Sequence, residues 1–436
     1  MTAVLSAPSA VTCDDVAVVR PAAPAIAPLA DVAGATAQVP LCTGDTVRYA
    51  NLDYAASAPA LTAVAAAVTD ALTGYASVHR GAGHLSQVTT RRYEQARETV
   101  RAFVRARTDD AVVFTRGTTD SINLAAHITD GDVVVLDIEH HANLLPWCAP
   151  RPDGSSRARI VRAADTIEDT LVALEAELAS APAALLAVTA ASNVTGEVLP
   201  ISRLASIAHR HGARILVDAA QLVAHRPISV VSHGIDYLVF SGHKVYAPFG
   251  AGVLIGRADW LDAAAPYLAG GGATAEVGVE SDGCTDVRWH TGAARHEAGS
   301  PNVLGAIAIA AACDELTRVG FESIGAHEEI LRACLDDGLS GVDAVTALRI
   351  FTDSTDRVGI AGFAVAGHQP RAVAEFLSDS AGIGVRDGKF CAHPLLNRLG
   401  YRDGAVRASF GVGTGSEDID RLVGALTHLT TKARIE

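Results

Sequence analysis

This chain has no apolar run long enough to cross a bilayer: the longest, Val303 to Cys313, is too short and contains Gly305. Positive charge is missing where a signal peptide would need it. The first basic residue is Arg20, after Asp14 and Asp15. A basic surplus is missing from the whole chain too. Thirty-five Lys and Arg stand against 49 Asp and Glu, a formal net charge of −14, which argues against non-specific nucleic-acid binding. Close cysteine pairs are also lacking. The seven cysteines, at 13, 42, 148, 284, 313, 334 and 391, have the spacing of neither a zinc site nor a disulfide framework. The expectation is a cytoplasmic protein with no bound metal, its thiols reduced and mostly buried.

What is present is enough for a large core: 436 residues, 49% hydrophobic and only 19% charged. Residues 1–45 are rich in Ala, Val and Pro without a periodic apolar face, and are expected to form a poorly ordered tail. From about 110 to 256, short apolar runs alternate with helical stretches. The expected strands are Ala111–Phe114, Asp132–Leu136, Ala158–Val161, Ala184–Thr189, Arg214–Asp218, Tyr237–Phe240 and Gly252–Ile255; helices are expected at Ile167–Leu178 and Ser202–Arg210. Such alternation indicates an α/β fold with a mostly parallel sheet covered on both faces. A Gly-rich, irregular segment from Gly270 to about Ser300 precedes a helix at Leu304–Val319, so the chain divides near residue 300. The expected units are a large domain, 46–300, and a smaller C-terminal one, 301–436.

Ligands on open α/β sheets sit beyond the carboxyl ends of the strands, and four chemically competent groups fall there. Ser241-Gly242-His243-Lys244 follows one strand, and a lysine so placed can form a Schiff base if its neighbours keep it partly neutral; taken alone, such a lysine is usually a solvated surface group. Asp218 ends another strand, with Gln221 three residues on. A buried carboxylate needs a partner, and a protonated pyridine nitrogen would serve, although a helix N-cap is the plainer role. Arg116-Gly117-Thr118-Thr119-Asp120-Ser121 combines glycine, hydroxyls and a helix start, which suits either an anion cradle or ordinary capping. Glu139-His140-His141-Ala142-Asn143 offers an imidazole able to lie on a ring and move protons near neutral pH.

Taken in order, the phosphate loop, the histidine, Asn193, Asp218 with Gln221, and Ser241-Gly242-His243-Lys244 resemble the class V aminotransferase-type, fold-type I pyridoxal-phosphate enzymes. Within these the chain is most similar to the cysteine desulfurase and selenocysteine lyase family. Asn51-Leu52-Asp53-Tyr54-Ala55-Ala56, Val78-His79-Arg80-Gly81, Ser192-Asn193-Val194, His296-Glu297-Ala298-Gly299-Ser300-Pro301, Arg386, Cys391-Ala392-His393-Pro394 and Arg407-Ala408-Ser409 support this over residues 48–430. The resemblance implies a pyridoxal 5′-phosphate cofactor anchored on Lys244, which would also carry the α-proton. It implies Asp218 on the ring nitrogen, Gln221 on the ring hydroxyl and His140 stacked on the ring. Thr118, Thr119, Ser241 and His243 would hold the phosphate, with Ser300 contributed by the other subunit of a homodimer. Asn193 and Arg407 would bind the substrate carboxylate, with Arg386 close by. Cys391, on a mobile loop, would attack the substrate's sulfur or selenium as a thiolate.

Two departures stand out. The family's two histidines before the cysteine are Lys389-Phe390 here, and its His-Pro-His stretch corresponds to Gln369-Pro370-Arg371. The second change removes a histidine that would take a zinc ligand from one class of acceptor. The implied activity is conversion of L-cysteine to L-alanine, with a persulfide left on Cys391 for an acceptor protein. Alternatives within the fold are a C–S lyase giving pyruvate and a selenocysteine lyase.

Overall fold

The computed structural model describes residues 25–150, 154–281 and 283–432. At its centre is a seven-stranded sheet: β1 (Asp110–Thr115), β2 (Val133–Leu136), β3 (Ala158–Val161), β4 (Leu185–Thr189), β5 (Arg214–Asp218), β6 (Tyr237–Ser241) and β7 (Gly252–Arg257), in the order β1-β7-β6-β5-β4-β2-β3. All seven expected strands are present, within a residue or two of their expected ends. β7 alone runs backwards, pairing antiparallel with both β1 and β6. β2, β4 and β6 are buried at every position, as continuous apolar runs covered on both faces must be.

The helices over the sheet form for legible reasons. Ile167–Ser180 begins where Thr166 Oγ1 accepts the Asp169 N–H, with Glu168 and Asp169 in the first turn to complement the helix dipole. Ile201–Arg210 buries Ile201, Leu204, Ala205, Ile207 and Ala208 along one stripe. Val303–Val319, capped by the Asn302 side chain accepting from Gly305 N–H, packs on the helices Thr62–Thr73 and His84–Phe103. No helix among the described residues is long and apolar enough to cross a membrane.

Three expectations need correction. The segment 270–300 holds an antiparallel hairpin, β8 (Thr274–Val279) and β9 (Thr285–Trp289), mostly solvent-exposed and so without the apolar alternation that would have betrayed it. Residues 25–45, expected to belong to a poorly ordered tail, are tied to the body of the fold by backbone bonds although most of them are exposed; residues 1–24 lie outside the described residues. Leu29 and Ala30 N–H both donate to Val412 O, Val32 is buried, and Gln38–Pro40 pairs with Thr46–Arg48. The stretch is held by backbone bonds, which leave no side-chain period to read. Finally, Cys42 takes part in a disulfide, so not every cysteine is a reduced thiol.

Beyond residue 300, β10 (Val345–Ala347), β11 (Ile360–Val365), β12 (Arg386–Gly388) and β13 (Ala405–Ser409) form a second sheet in the order β10-β11-β13-β12. Its core includes Phe363, Val406, Ala408, Leu422 and Leu426, and takes in Ala50 and Leu52 from near the start of the described chain. Antiparallel register sets Arg386 directly across from Arg407. That pairing aims both arginines at the edge where the two sheets meet.

Candidate active site

A cavity of about 1020 Å³ opens at the carboxyl ends of β1, β2, β4, β5 and β6. Its lining includes Thr118, Thr119, His140, Asn193, Asp218, Gln221, Ser241, His243, Lys244, Arg386, Cys391 and Arg407. Every expected site residue therefore converges on it except Ser300, which is exposed and not part of the lining.

One wall is an anion cradle. Two residues past the end of β1, Gly117 stands at the N-cap of the helix Thr118–Ile128, whose first residues line the cavity. Ser241 Oγ, from the end of β6, accepts the Thr118 N–H at 2.8 Å and ties the two strand ends together. This closeness depends on glycine. A Cβ on Gly252, the first residue of β7, would lie 2.4 Å from Gly117 Cα. Thr118 Oγ1 is buried without a partner, so an anionic oxygen arriving here would satisfy a hydroxyl that the protein leaves open. Arg116 is drawn aside to Asp120 (2.9 Å), which also accepts from Tyr267 OH at 3.1 Å.

Across the floor, Lys244 follows β6 in a single 3₁₀ turn, Gly242–Lys244. Burial lowers its pKa to about 8, against the pull of Asp218, which favours the charged form; Arg407 lowers it further. Asp218 is itself buried, and burial pushes its carboxyl above the usual range. One of its oxygens accepts the Ala220 N–H at 3.0 Å in a turn two residues on; no helix starts there, so the residue is not an N-cap, and its carboxylate lines the cavity. Gln221 Nε2 donates to Ala55 O at 2.9 Å, which fixes the amide.

His140 is kept neutral by burial and by Lys244, with a pKa of about 3. Its Nδ1 accepts the Ala142 N–H at 3.0 Å, so the ring proton belongs on Nε2. Behind it lies a residue to which the sequence pattern assigned no task. Glu139 is wholly buried and accepts from Thr189 N–H at 3.0 Å and Asn143 Nδ2 at 2.7 Å; burial lifts its pKa to about 8. Through these bonds it fixes the turn carrying His140 to the end of β4.

The opposite wall comes from the second sheet. Arg407 is buried, donates to Asn193 O at 2.9 Å and to Asp53 Oδ1 at 3.1 Å, and leaves its Nε without a partner. Asp53 belongs to the Asn51–Ala56 motif; as the arginine's counter-ion it was not foreseen. Beside them runs the Cys391 loop, which is hydrogen-bonded both to its surroundings and within itself. Asn193 Nδ2 donates to Phe390 O at 2.7 Å, His141 N–H to Cys391 O at 2.8 Å, and Ala392 N–H to Lys389 O at 2.9 Å. Phe390 and Cys391 both take left-handed backbone angles, φ 51° and 52°, which only such a scaffold would hold in side-chain-bearing residues. The turn leaves Cys391 exposed at the cavity mouth while Phe390 is buried.

The segment 296–300 is locked to the sheet from outside the cavity. Glu297 takes a two-pronged contact from Arg97 (2.9 and 3.0 Å) and accepts from Tyr93 OH and Phe114 N–H. Arg80 donates to Gly271 O and Gly299 O, which accounts for the pairing of two distant motifs.

Comparison with known proteins agrees with this construction. The family profile described as "Aminotransferase class-V" matches residues 50–422. A cysteine desulfurase of Klebsiella pneumoniae (strain 342) is 38% identical over 398 residues, 88% of this chain and 94% of that protein. The apo structure of a cysteine desulfurase from Thermococcus onnurineus NA1 superposes with a TM-score of 0.80 at 33% identity, covering 88% of this chain and 95% of that one. The Escherichia coli cysteine desulfurase CsdA, solved in an S-sulfonic acid form, gives 0.76 at 33% identity over the same shares of the two chains. With its fold-type I sheet, its reversed β7 and its second sheet closing the cavity, this chain belongs to the class-V aminotransferase family, in the group that contains the cysteine desulfurases.

Proposed function

We propose that this protein is a pyridoxal-phosphate-dependent cysteine desulfurase that converts L-cysteine to L-alanine and leaves the sulfur as a persulfide on Cys391. The observation that carries the reading is one cavity holding a lysine of lowered pKa, a buried aspartate, an anion cradle with an open hydroxyl, and an exposed thiol beside a buried arginine.

The residues suit the cofactor. Thr118, Thr119, Ser241 and His243 would hold the phosphate, where the open Thr118 hydroxyl and the helix start favour an anion. Asp218 would face the ring nitrogen, whose positive charge would relieve the cost of burying the carboxylate. Gln221 would reach the ring hydroxyl, His140 would cover the ring, and Lys244 would be the anchor. When bound, the cofactor supplies a sink for the electron pair left on the substrate by a broken bond.

The chain's own groups do the rest. Arg407, whose Nε has no protein partner, would take the substrate carboxylate, joined by Asn193, with Arg386 adjacent. Lys244, once released from covalent duty, can accept the α-proton at Nζ because burial keeps a fraction of it neutral near pH 7. The Cys391 thiolate attacks the substrate's sulfur. An S–S bond forms as the C–S bond breaks, its pair stays with the β-carbon, and that carbon takes a proton to give alanine. Exposure of Cys391 lets an acceptor protein reach the persulfide.

Ser300 supports a shared site. It is exposed and apart from its own cavity, as a residue serving the other subunit of a homodimer would be. A monomeric mass in solution at full activity would refute the dimer.

Product analysis tests the function. Incubation of the holoenzyme with L-cysteine should give alanine and a mass gain of one sulfur on Cys391; sulfide and pyruvate without that gain would assign the chain to the eliminating lyases.

A further inference from the structure

The substitution of Phe390 for a family histidine does more than alter proton supply beside Cys391. Phe390 touches both groups read as the carboxylate site. Its carbonyl accepts the Asn193 amide N–H at 2.7 Å, and the Arg407 guanidinium carbon lies 5.2 Å from the centre of its ring. Arg407 in turn donates to Asn193 O, which closes a triangle of Phe390, Asn193 and Arg407. Phe390 as a whole is only 8% exposed, and the adjoining Cys391 carbonyl accepts from His141 N–H. One turn of backbone thus carries the thiol on its outer side and braces the arginine on its inner side.

We propose that Phe390 is a positioning residue for the substrate carboxylate: its ring holds the Arg407 guanidinium in the plane that a carboxylate meets. This rests on the reading of Arg407 and Asn193 as the carboxylate site. The brace acts in a direction the hydrogen bonds do not. The Nη atoms donate to Asn193 O and Asp53 within the guanidinium plane, Nε has no protein partner, and the Phe390 ring closes one face of the group. An aromatic face supplies orientation without competing for hydrogen bonds, because a guanidinium stacks on a ring while its donors stay free in its own plane. A histidine at this position would present a smaller and more polar face. Phe390 therefore acts on substrates through their carboxylate and leaves bond breaking itself alone.

The test is ligand binding to the holoenzyme, read from the visible absorbance of the cofactor. L-Alanine is compared with ethylamine, which is alanine without its carboxylate. Phe390→Leu keeps an apolar side chain of somewhat smaller volume and removes the aromatic face, whereas Phe390→Tyr keeps both volume and face. The expected result for Phe390→Leu is alanine binding weakened roughly three- to tenfold, ethylamine binding unchanged, and a KM for L-cysteine raised with kcat within about twofold. Phe390→Tyr should restore wild-type binding. Should the leucine variant not retain cofactor, Phe390→Met serves the same comparison. Equal weakening of alanine and ethylamine, a tyrosine variant no better than leucine, or a loss confined to kcat would each overturn the assignment. Failure of the underlying reading looks different: the wild-type enzyme would then bind alanine no better than ethylamine, or release no alanine from cysteine.

Discussion

The lowered pKa of Lys244 can be tested without substrate. The free amine, the form that attacks an aldehyde, is set by a pKa of about 8 in place of the ordinary 10.5. At pH 7 that leaves about one lysine in ten neutral, against about one in three thousand for an unperturbed side chain, a ratio of ~300. Burial is the main cause, and Asp218 opposes it. Apoenzyme mixed with pyridoxal phosphate between pH 6 and 10 should therefore capture the cofactor at a rate that climbs to about pH 8 and then levels. The same reaction with free Nα-acetyl-lysine corrects for the cofactor's own ionisations and should keep climbing past pH 10. Asp218→Asn removes the one nearby anion that most favours the ammonium form, so its plateau should begin at lower pH, whatever it does to the final affinity. A capture rate that keeps rising tenfold per unit between pH 8 and 10, like the free amine, would refute the argument. An Asp218→Asn plateau displaced upward would refute the sign assigned to that residue.

Lys244→Ala should yield protein without a borohydride-fixable cofactor; reduction that still labels another lysine would reassign the anchor. Cys391→Ala should bind cofactor and L-cysteine normally yet lose alanine production by on the order of a hundredfold or more, because a covalent route disappears. Sulfide and pyruvate released by that variant at the wild-type rate would instead make Cys391 irrelevant. Gly252→Ala, whose Cβ would press on the Gly117 backbone, should strain the anion cradle by about 1–3 kcal/mol. Cofactor affinity measured by fluorescence titration should fall about tenfold or more, with unchanged affinity counting against the packing argument.

The large sheet was legible because buried parallel strands are written as unbroken apolar runs, and Val133–Leu136 and Leu185–Thr189 can be little else. The cavity was legible because strand–loop punctuation sets its residues at strand ends: Asp218, Lys244, Thr118 and His140 all converge as expected. Features built from backbone geometry escaped. The β8–β9 hairpin is exposed on most of its residues and carries no core-facing stripe. Residues 25–45 are pinned by bonds such as Leu29 N–H to Val412 O that leave no trace in composition. Asp53 and Glu139 lie inside recognisable motifs, but their partners, Arg407 and Thr189, are distant along the chain, and only the fold brings them together.

The reversed direction of β7 draws the anion cradle and the lysine turn together. Gly252 pairs with Thr115 on one side and Ser241 on the other, with one strand spacing, ~4.8 Å, to each. Because β7 starts at this edge, the strand between β1 and β6 presents its first residue there, and that residue has no side chain. The Gly117 backbone occupies the place a Cβ of Gly252 would take, and Ser241 Oγ reaches the Thr118 N–H across it at 2.8 Å. Cradle and anchor turn are thus coupled through a residue that contributes only backbone, and a side chain added there would displace both.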